Sequence, residues 1–407
     1  MLHGRQPYAI VAVAAAAPRL AALLLERGDI LAAFTEKSDD FARTLAASGT
    51  FGFLPGEPSA YTQPLYGWFL GGLYWTLGRE WAVVGLAQTA VGVGTALLAV
   101  ALGRRVASDR AGLFAGLAVA LHPYLVWHDV HLNREVLDGF VAAALVLATL
   151  WAAQRRSALA AAAVGALAGV AILGNARLTL LPLVLAGWLL WRGLRVVPAA
   201  VVLAAAALVV APWVVRNDVE VGCPAITTDA KALWKANNLA TYDTLAGGGW
   251  IDDVPDPPGA PPTPEDAARQ GRTVDECAQM RLYRRLTTEF WREHPGEKAK
   301  LSAQAIGMLW DPRGTRTDEG PGAGGLRETA RTWLLPIFVV PLFALAVYGF
   351  AVVPRPTAVL FGLLLAYVTL TAVVFAGATR YRAPWDVLLA VLAGAALDRL
   401  LRARAAR

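Results

Sequence analysis

Ten long apolar runs limit what this chain can fold into. They cover residues 8–26, 83–103, 111–127, 135–153, 157–174, 178–191, 197–215, 332–352, 357–378 and 383–400. A helix needs roughly 20 apolar residues to cross about 30 Å of hydrocarbon, and it satisfies its own backbone hydrogen bonds there. The composition agrees, since 56% of the residues are hydrophobic and only 17% are charged. We therefore expect an all-α polytopic membrane protein with about ten transmembrane helices, the first of them retained rather than cleaved.

Arginines accumulate in every second connection between the runs. They are Arg104, Arg105, Arg110, Arg155, Arg156, Arg192, Arg195 and Arg355, followed by Arg399, Arg402, Arg404 and Arg407 at the C-terminal end. The positive-inside rule places such loops in the cytoplasm, so we expect a plasma-membrane protein with both termini cytoplasmic and the other loops external. This alternation requires that Pro64–Leu77 does not cross, and its Tyr and Trp residues favour an in-plane helix at the membrane interface. Topology thus explains the net charge of +6 without nucleic acid as a partner.

The chain contains two long polar stretches, and the second of them separates two groups of apolar runs. We expect an N-terminal transmembrane module at 1–215 with a first external loop at 27–82, a hydrophilic segment at 216–331, and C-terminal transmembrane helices at 332–407. Gly and Pro crowd residues 246–263, which predicts a long loop, whereas 265–308 has amphipathic helical spacing. A small mixed external domain is expected. Cys223 and Cys277 both lie in it, either as a disulfide or as two free thiols.

The first loop contains an unusual concentration of acids. The stretch Thr35–Tyr66 begins with Glu36, Asp39 and Asp40 directly after the first apolar run. Ser38 as an N-cap with acids in the first helical turn would be a purely structural explanation. Carboxylates at the mouth of a membrane helix are costly, however, and one of them could deprotonate an incoming hydroxyl group. We therefore predict a catalytic base among these three acids.

A second polar junction follows the third run. It contains His128, Asp129, His131, Arg134 and Glu135. The imidazole and carboxylate groups could bind a divalent metal, but their spacing matches no specific zinc signature. A polar helix end is the structural alternative. We favour substrate handling, with Arg134 on a phosphate and Glu135 facing the cavity, and with His128, Asp129 and His131 lining it.

Several arginines on the expected external side are not explained by topology. They are Arg134, Arg177, Arg216, Arg380 and Arg382. The guanidinium fork suits phosphate, so these side chains are candidates for binding an anion, and snorkelling to the membrane surface is the alternative. We predict donor phosphate binding by Arg134, Glu135, Arg177, Arg380 and Arg382. Tyr61, Gln63 and Lys235 are further candidates for the substrate cavity, with a solvated helix end as the alternative for Lys235.

The order of motifs resembles that of the GT-C glycosyltransferases, in the branch of protein mannosyltransferases and aminoarabinose transferases. The matching segments are SDDFARTLAASGTFGF, PSAYTQPLYGWFL, ALGRR, HPYLVWHDVHLNRE, APWVVRN at Ala211–Asn217 and RYRAP at Arg380–Pro384. The resemblance implies a GT-C-like fold, a sugar donor on polyprenyl phosphate and a catalytic carboxylate in the first loop. That carboxylate would be Asp39 or Asp40, with Glu36 third. The resemblance also implies a reaction that requires no cofactor and in which a divalent metal is optional.

These inferences combine into one expected function. The chain is expected to be an inverting transferase that moves a sugar from a polyprenyl-phosphate donor to a hydroxyl of a lipid, glycan or protein acceptor on the external face. Membrane lipids are its other expected partners. One alternative is a lipid or solute transporter, which would carry charges near the bilayer midplane and internal repeats. Another alternative is a non-catalytic scaffold or polyprenyl-lipid-binding protein.

Overall fold

The computed structural model describes residues 6–32, 37–314 and 333–406, so Glu36 lies outside the described residues. Within these ranges the chain forms α-helices, three short 3-10 helices and loops, and no β-strand. The helices are α1 Gln6–Leu25, α2 Lys37–Ser48, α3 Pro64–Leu77, α4 Trp81–Val106, α5 Asp109–Ala120, α6 Pro123–His128, α7 Glu135–Arg155, α8 Ala158–Gly174, α9 Leu181–Trp191, α10 Val196–Val221, α11 Lys231–Lys235, α12 Thr241–Ala246, α13 Pro264–Ala268, α14 Glu276–Glu293, α15 Pro295–Leu309, α16 Leu335–Val352, α17 Arg355–Val374, α18 Thr379–Arg382 and α19 Asp386–Ala405. The predicted all-α class is confirmed.

Six of the described helices are long and apolar enough to cross a membrane, and these are α1, α4, α7, α10, α16 and α17. Each coincides with one of the ten predicted runs. Two more runs form the shorter apolar stretches Ala158–Gly174 and Ala176–Trp191. Most of the last run, 383–400, lies in α19, a 20-residue helix that is buried over most of its length. The chain is thus a multi-pass membrane protein.

The predicted run 111–127 is not one continuous helix. Helix α5 ends at Ala120, and α6 begins at Pro123 after a turn at Leu121 and His122. Proline has no amide hydrogen and its ring restricts the preceding residue, so an α-helix is commonly broken there. The break matters for the site because it redirects the chain toward Asp129 and Glu135.

Small residues allow the helices of the bundle to lie close together. A Cβ atom at Gly103 would come within 2.7 Å of the Gly112 Cα, and one at Gly394 within 2.5 Å of the Ala111 carbonyl oxygen. Helix α5 is therefore in backbone contact with both α4 and α19. Close approach of this kind is a main source of packing between helices in lipid.

A buried ion pair explains the arginine inside the first apolar run. The Arg19 Nε and Nη2 atoms each lie 2.8 Å from Asp129 Oδ2, and the Arg19 side chain is fully buried. Arg19 also donates to the carbonyl oxygens of Ala15 and Ala120. The pair fastens α1 to the end of α6, so Asp129 is engaged inside the bundle.

The hydrophilic segment was predicted to be a mixed domain, but its described residues, 216–314, form helices and loops without a strand. The Gly- and Pro-rich stretch 246–263 contains only a short 3-10 helix, Ile251–Asp253, because proline cannot donate to a β-ladder. Cys223 and Cys277 form a disulfide, with their sulfur atoms 2.05 Å apart. It links the end of α10 to the start of α14 and lies in a small apolar core with Trp234 and Tyr283.

Candidate functional site

The candidate site lies where the first turn of α7 meets α18. Glu135 is buried there, and Arg380 approaches it with two nitrogens, Nε at 2.8 Å and Nη2 at 3.3 Å. The Nε atom of Arg134 lies 3.6 Å from the same carboxylate. Glu135 therefore orients two arginines that are 246 positions apart in sequence, numbered 134 and 380.

A third arginine reaches this place from the turn between α8 and α9. The Arg177 guanidinium lies 3.7 Å from the centre of the Tyr381 ring and 4.8 Å from that of Phe375. The Asn175 side chain accepts a hydrogen bond from the Arg177 backbone nitrogen and so fixes the turn. Among the described residues, the buried Nη1 atom of Arg177 has no hydrogen-bond partner. The two rings lie against the guanidinium, and its buried Nη1 is left as a donor.

Arg134 joins the cluster to the first loop. Its Nη1 atom donates to Gln63 Oε1 at 2.8 Å, and Gln63 precedes helix α3. One turn further along α3, the Tyr66 hydroxyl donates to Gln88 and accepts from the Asn133 backbone nitrogen. Helix α3 is thereby fixed against the junction that carries Arg134 and Glu135.

The balance of charge in this cluster favours an anion. Arg134 and Arg380 contact Glu135, and Arg177 and Arg380 both lie over the Tyr381 ring, at 3.7 and 5.8 Å from its centre. The three arginines and Glu135 carry three positive charges and one negative charge, and Asp138 in the adjoining cavity adds a second negative charge. A small cavity opens beside them and is lined by Glu135, Arg380 and Tyr381 together with Asn175, Asp138 and Trp385. We name Arg134, Glu135, Arg177 and Arg380 the arginine cluster. Oriented, partly desolvated guanidinium groups are well suited to phosphate oxygens.

The histidines of the junction point in different directions. His128 stacks on the Tyr124 ring, with centres 3.9 Å apart. The Nδ1 atom of His131 lies 2.8 Å from the Trp127 carbonyl oxygen, and its Nε2 atom lies 3.7 Å from Glu26. No group of three or more His, Cys, Asp or Glu side chains that could hold a metal ion occurs in the described ranges. His128, Asp129 and His131 thus face three different partners, Tyr124, Arg19 and the Trp127 carbonyl oxygen.

Asp39 is held by two partners in the first loop. The Arg79 Nε and Nη2 atoms donate to its two oxygens at 3.0 and 2.8 Å, and the Tyr74 hydroxyl donates at 2.6 Å. The carboxylate is almost completely buried. Burial, followed by the charge of Asp39, raises the pKa of Tyr74, and the hydrogen bond to Asp39 raises the pKa of Arg79. Asp39 is therefore built into the packing of α2 against α3.

Asp40 has a more open environment. Its side chain is 42% exposed and lies 3.5 Å from Arg43, one turn later in α2. Partial burial and the adjacent Asp39 charge raise the pKa of the Asp40 carboxyl group.

Ser38 lies inside α2, which begins at Lys37, so Ser38 is not the N-cap. Its carbonyl oxygen would be 3.7 Å from a Cβ at Gly67, which places the start of α2 near the same end of α3 as Gln63.

Three predicted site residues lie away from the arginine cluster. Arg382 is fully buried, with its Nε 3.1 Å from Asp386 and its Nη1 2.9 Å from the Leu309 carbonyl oxygen. Lys235 donates to the Asp252 carbonyl oxygen at 2.6 Å within the hydrophilic segment. Tyr61 is buried beneath Lys37, whose Nζ lies 4.5 Å from the ring centre. The structure gives these side chains other partners.

Sequence reasoning missed four residues that hold the site together. Tyr381 and Phe375 enclose the Arg177 guanidinium, and Arg79 with Tyr74 fixes Asp39. Tyr381 stood in the quoted RYRAP motif, where its position between two arginines was a usable signal. The pairing of Arg79 with Asp39, across 40 positions, had no signal in a single sequence.

Comparisons with known proteins agree with this architecture. Residues 58–215 match the family described as dolichyl-phosphate-mannose-protein mannosyltransferase. No curated protein matches the chain significantly.

Solved structures resemble the chain over nearly its whole length. The archaeal oligosaccharyltransferase AglB from Archaeoglobus fulgidus, in complex with an inhibitory peptide and a dolichol-phosphate, is 14% identical with a TM-score of 0.56, and the match covers 98% of this chain and 51% of that one. A structure of the same organism's enzyme tethered to an acceptor peptide gives 13% identity, 98% and 51% coverage, and a TM-score of 0.54. ArnT from Cupriavidus metallidurans bound to undecaprenyl phosphate gives 16% identity, 97% and 79% coverage, and a TM-score of only 0.41.

This chain spans about half the length of the archaeal enzyme. At such low identity the likeness concerns the fold, and it extends over the parts described above. The chain therefore has the fold of the GT-C glycosyltransferases, and its residues 58–215 match the dolichyl-phosphate-mannose-protein mannosyltransferase family, as the order of its motifs predicted.

Proposed function

We propose that this protein transfers a sugar from a polyprenyl-phosphate donor to an acceptor hydroxyl group, with inversion at the anomeric carbon. The observation that carries this proposal is that Arg134 and Arg380 pair with Glu135 while Arg177 lies beside them against the Tyr381 ring. A cluster with excess positive charge in a GT-C fold suits the phosphate of a lipid-linked donor. The archaeal structure with dolichol-phosphate supports a lipid of this class.

The arginine cluster would act mainly on the leaving group. When the bond between the anomeric carbon and the phosphate oxygen breaks, negative charge grows on that oxygen. Guanidinium groups already oriented by Glu135 and by the Tyr381 ring would stabilise this charge without reorganising. Arg177, whose Nη1 is buried and has no hydrogen-bond partner among the described side chains, is the arginine best placed to gain a bond to the phosphate.

We propose Asp40 as the general base. Its carboxylate would accept the proton of the acceptor hydroxyl while that oxygen forms the new bond to the anomeric carbon. Asp39 is less suited because Arg79 and Tyr74 occupy its oxygens. A raised pKa makes Asp40 a stronger base than an ordinary aspartate. Asp39 would position α2, and Glu36 would be the third candidate.

The expected location follows from the charge pattern of the loops. We propose a plasma-membrane protein with cytoplasmic termini and the arginine cluster on the external side, where the donor phosphate would lie at the membrane surface. The acceptor would be a lipid, a glycan or a protein. A divalent metal would be an addition to this scheme and not a requirement of it.

The proposal is tested by turnover of labelled donor. Purified protein is incubated with radiolabelled polyprenyl-phosphate sugars and a membrane extract, and release of free polyprenyl phosphate together with a labelled acceptor is expected. Saturable lipid binding without turnover would instead identify a scaffold. Movement of intact donor across proteoliposomes would identify a transporter.

The base assignment is tested by three separate variants. Asp40→Asn is expected to abolish transfer while the protein stays folded, and Glu36→Gln is expected to retain it. If folded Asp39→Asn and Asp40→Asn proteins both kept full activity, the first-loop base would be wrong. Loss of transfer in Glu36→Gln with full activity in Asp40→Asn would move the role to Glu36.

A further inference from the structure

Helix α15 of the hydrophilic segment contacts the end of helix α17. Lys298 Nζ donates to the Val373 carbonyl oxygen at 2.6 Å and to Asn237 Oδ1 at 2.6 Å. Asn237 Nδ2 in turn donates to the Val374 carbonyl oxygen at 3.0 Å. The last carbonyl groups of a helix have no partner within the helix, and a cation is favourable at that end. Two side chains of the hydrophilic segment therefore cap an apolar helix of the membrane bundle.

Two further contacts continue along the same side of α15. A Cβ atom at Gly377 would come within 1.7 Å of the Ala305 carbonyl oxygen, so the two backbones touch there. At the end of α15, the Leu309 carbonyl oxygen accepts from Arg382. Positions 298, 305 and 309 are seven and four residues apart, a spacing that places them on one helical face. Helix α15 thus lies along residues 373–382 from one end to the other.

The segment 373–382 contains Arg380 of the arginine cluster and the two rings that contact Arg177. Phe375 and Tyr381 enclose the Arg177 guanidinium, and Arg380 pairs with Glu135. Contacts from α15 and Asn237 reach this segment at Val373, Val374, Gly377 and Arg382. Its position is therefore set largely by what it packs against.

We infer that α15 acts as a splint that positions the arginine cluster, with Lys298 and Asn237 as its positioning residues. The inference rests on the proposed function for what the cluster binds. That α15 holds residues 373–382 in place is argued from the contacts alone. Neither residue is expected to touch the lipid phosphate. Burial lowers the pKa of Lys298 to about 8, so the fold holds a desolvated amine at this contact.

The chain offers a matched control on the same helix. Lys300 is exposed and pairs only locally, with Glu297 one turn away. Lys298→Met keeps the apolar stem and removes the donors, and Lys300→Met makes the same chemical change without touching α17. Lys298→Arg restores a cationic donor. All three are made in the full-length chain.

Two measurements separate the splint from the proposed function. The first is hydrogen exchange of the amides in residues 371–382, including that of Phe375, which is bonded to the Thr371 carbonyl oxygen. We expect exchange at least tenfold faster in Lys298→Met, a wild-type rate in Lys300→Met, and partial recovery in Lys298→Arg. Wild-type exchange in Lys298→Met would overturn the splint.

The second measurement is the affinity for dolichyl phosphate in detergent micelles. We expect Kd to rise at least tenfold in Lys298→Met and to stay unchanged in Lys300→Met, with KM for the donor rising more than kcat falls. An unchanged Kd together with faster exchange would overturn the link between splint and cluster. If the wild-type protein bound no dolichyl phosphate, the proposed function would be wrong. The hydrogen-exchange rates would still show whether α15 positions residues 371–382.

A second variant covers the case in which Lys298→Met does not fold. Gly377→Ala would push the segment away from α15, because the added Cβ cannot be accommodated at 1.7 Å from a carbonyl oxygen. We expect the same faster exchange in 371–382 and the same weaker binding of dolichyl phosphate. Normal values for both in a folded Gly377→Ala protein would contradict the inference.

Discussion

Replacing Asp39 should destabilise the protein, whereas replacing Asp40 should not. Asp39→Asn removes the charge that faces Arg79 across two hydrogen bonds of 3.0 and 2.8 Å. Breaking a buried ion pair by removing one partner costs about 3–5 kcal/mol, and an exposed pair contributes about 0–1 kcal/mol. Because the Arg79 side chain is 31% exposed while that of Asp39 is 3% exposed, we expect an intermediate loss of about 2 kcal/mol.

The loss is measured as thermal unfolding of the purified protein in detergent. At about 2.1 cal/mol/K of unfolding entropy per residue, a loss of about 2 kcal/mol lowers the midpoint of a 407-residue chain by roughly 2 °C. Asp40→Asn is the matched control, since Asp40 makes only a 3.5 Å contact with Arg43. Its midpoint should change by less than about 1 °C, in line with surface substitutions of about 0.5 kcal/mol or less.

A double variant makes this test sharper. Asp39→Asn combined with Arg79→Gln should lose less than the sum of the two single losses, because neither charge is then left unpaired. Equal midpoints for Asp39→Asn and Asp40→Asn, or strictly additive losses in the double variant, would refute the assignment of Asp39 to packing and reopen it as the base.

Three further predictions concern other residues. Arg382→Met should lower the unfolding midpoint by several degrees and raise the Kd for dolichyl phosphate less than Arg177→Met does, which should raise it at least tenfold; the reverse order would exchange their roles. Transfer should fall on acidification as the Asp40 carboxylate protonates, beginning at a higher pH than for an aspartate of ordinary pKa, and a kcat/KM profile without this acidic limb would contradict the assignment. Replacing both Cys223 and Cys277 by serine should cost about 4 kcal/mol, since the bond closes a loop with a separation of 54 residues, and an unchanged unfolding midpoint would contradict this.

The sequence predicted most of the helical architecture because membrane spans are set by composition and length. The in-plane candidate Pro64–Leu77 has the predicted bounds, since Pro64 suits the first helical position and Gly78 adopts a positive φ of 83° at the end. The break after Ala120 was not predicted, although Pro123 was a readable signal. Mean hydropathy over the run 111–127 is insensitive to a single proline, whereas the backbone is not.

Which charged residues share a site was harder to predict. Arg177 and Arg382 both stand in short turns between apolar runs, and their sequence surroundings predict donor phosphate binding for both. Their difference depends on partners, because Asp386 occupies Arg382 while Tyr381 stacks on Arg177. The Arg382–Asp386 pair has i,i+4 spacing and could have been read from the sequence. The choice between Asp39 and Asp40 could not, because Arg79 reaches Asp39 only through the packing of α2 and α3.

The ion pair between Arg19 and Asp129 has a consequence for how the chain enters the membrane. An arginine at the centre of a lone helix opposes insertion by about 2.5–3.5 kcal/mol, and its partner follows 110 residues later. At about 5–20 residues per second, a ribosome needs roughly 5 to 20 s to supply that aspartate. During this interval the first span is marginally inserted, so its final seating has to wait for the later helices. An Arg19→Leu substitution should therefore speed early insertion while leaving Asp129 without its partner in the finished protein.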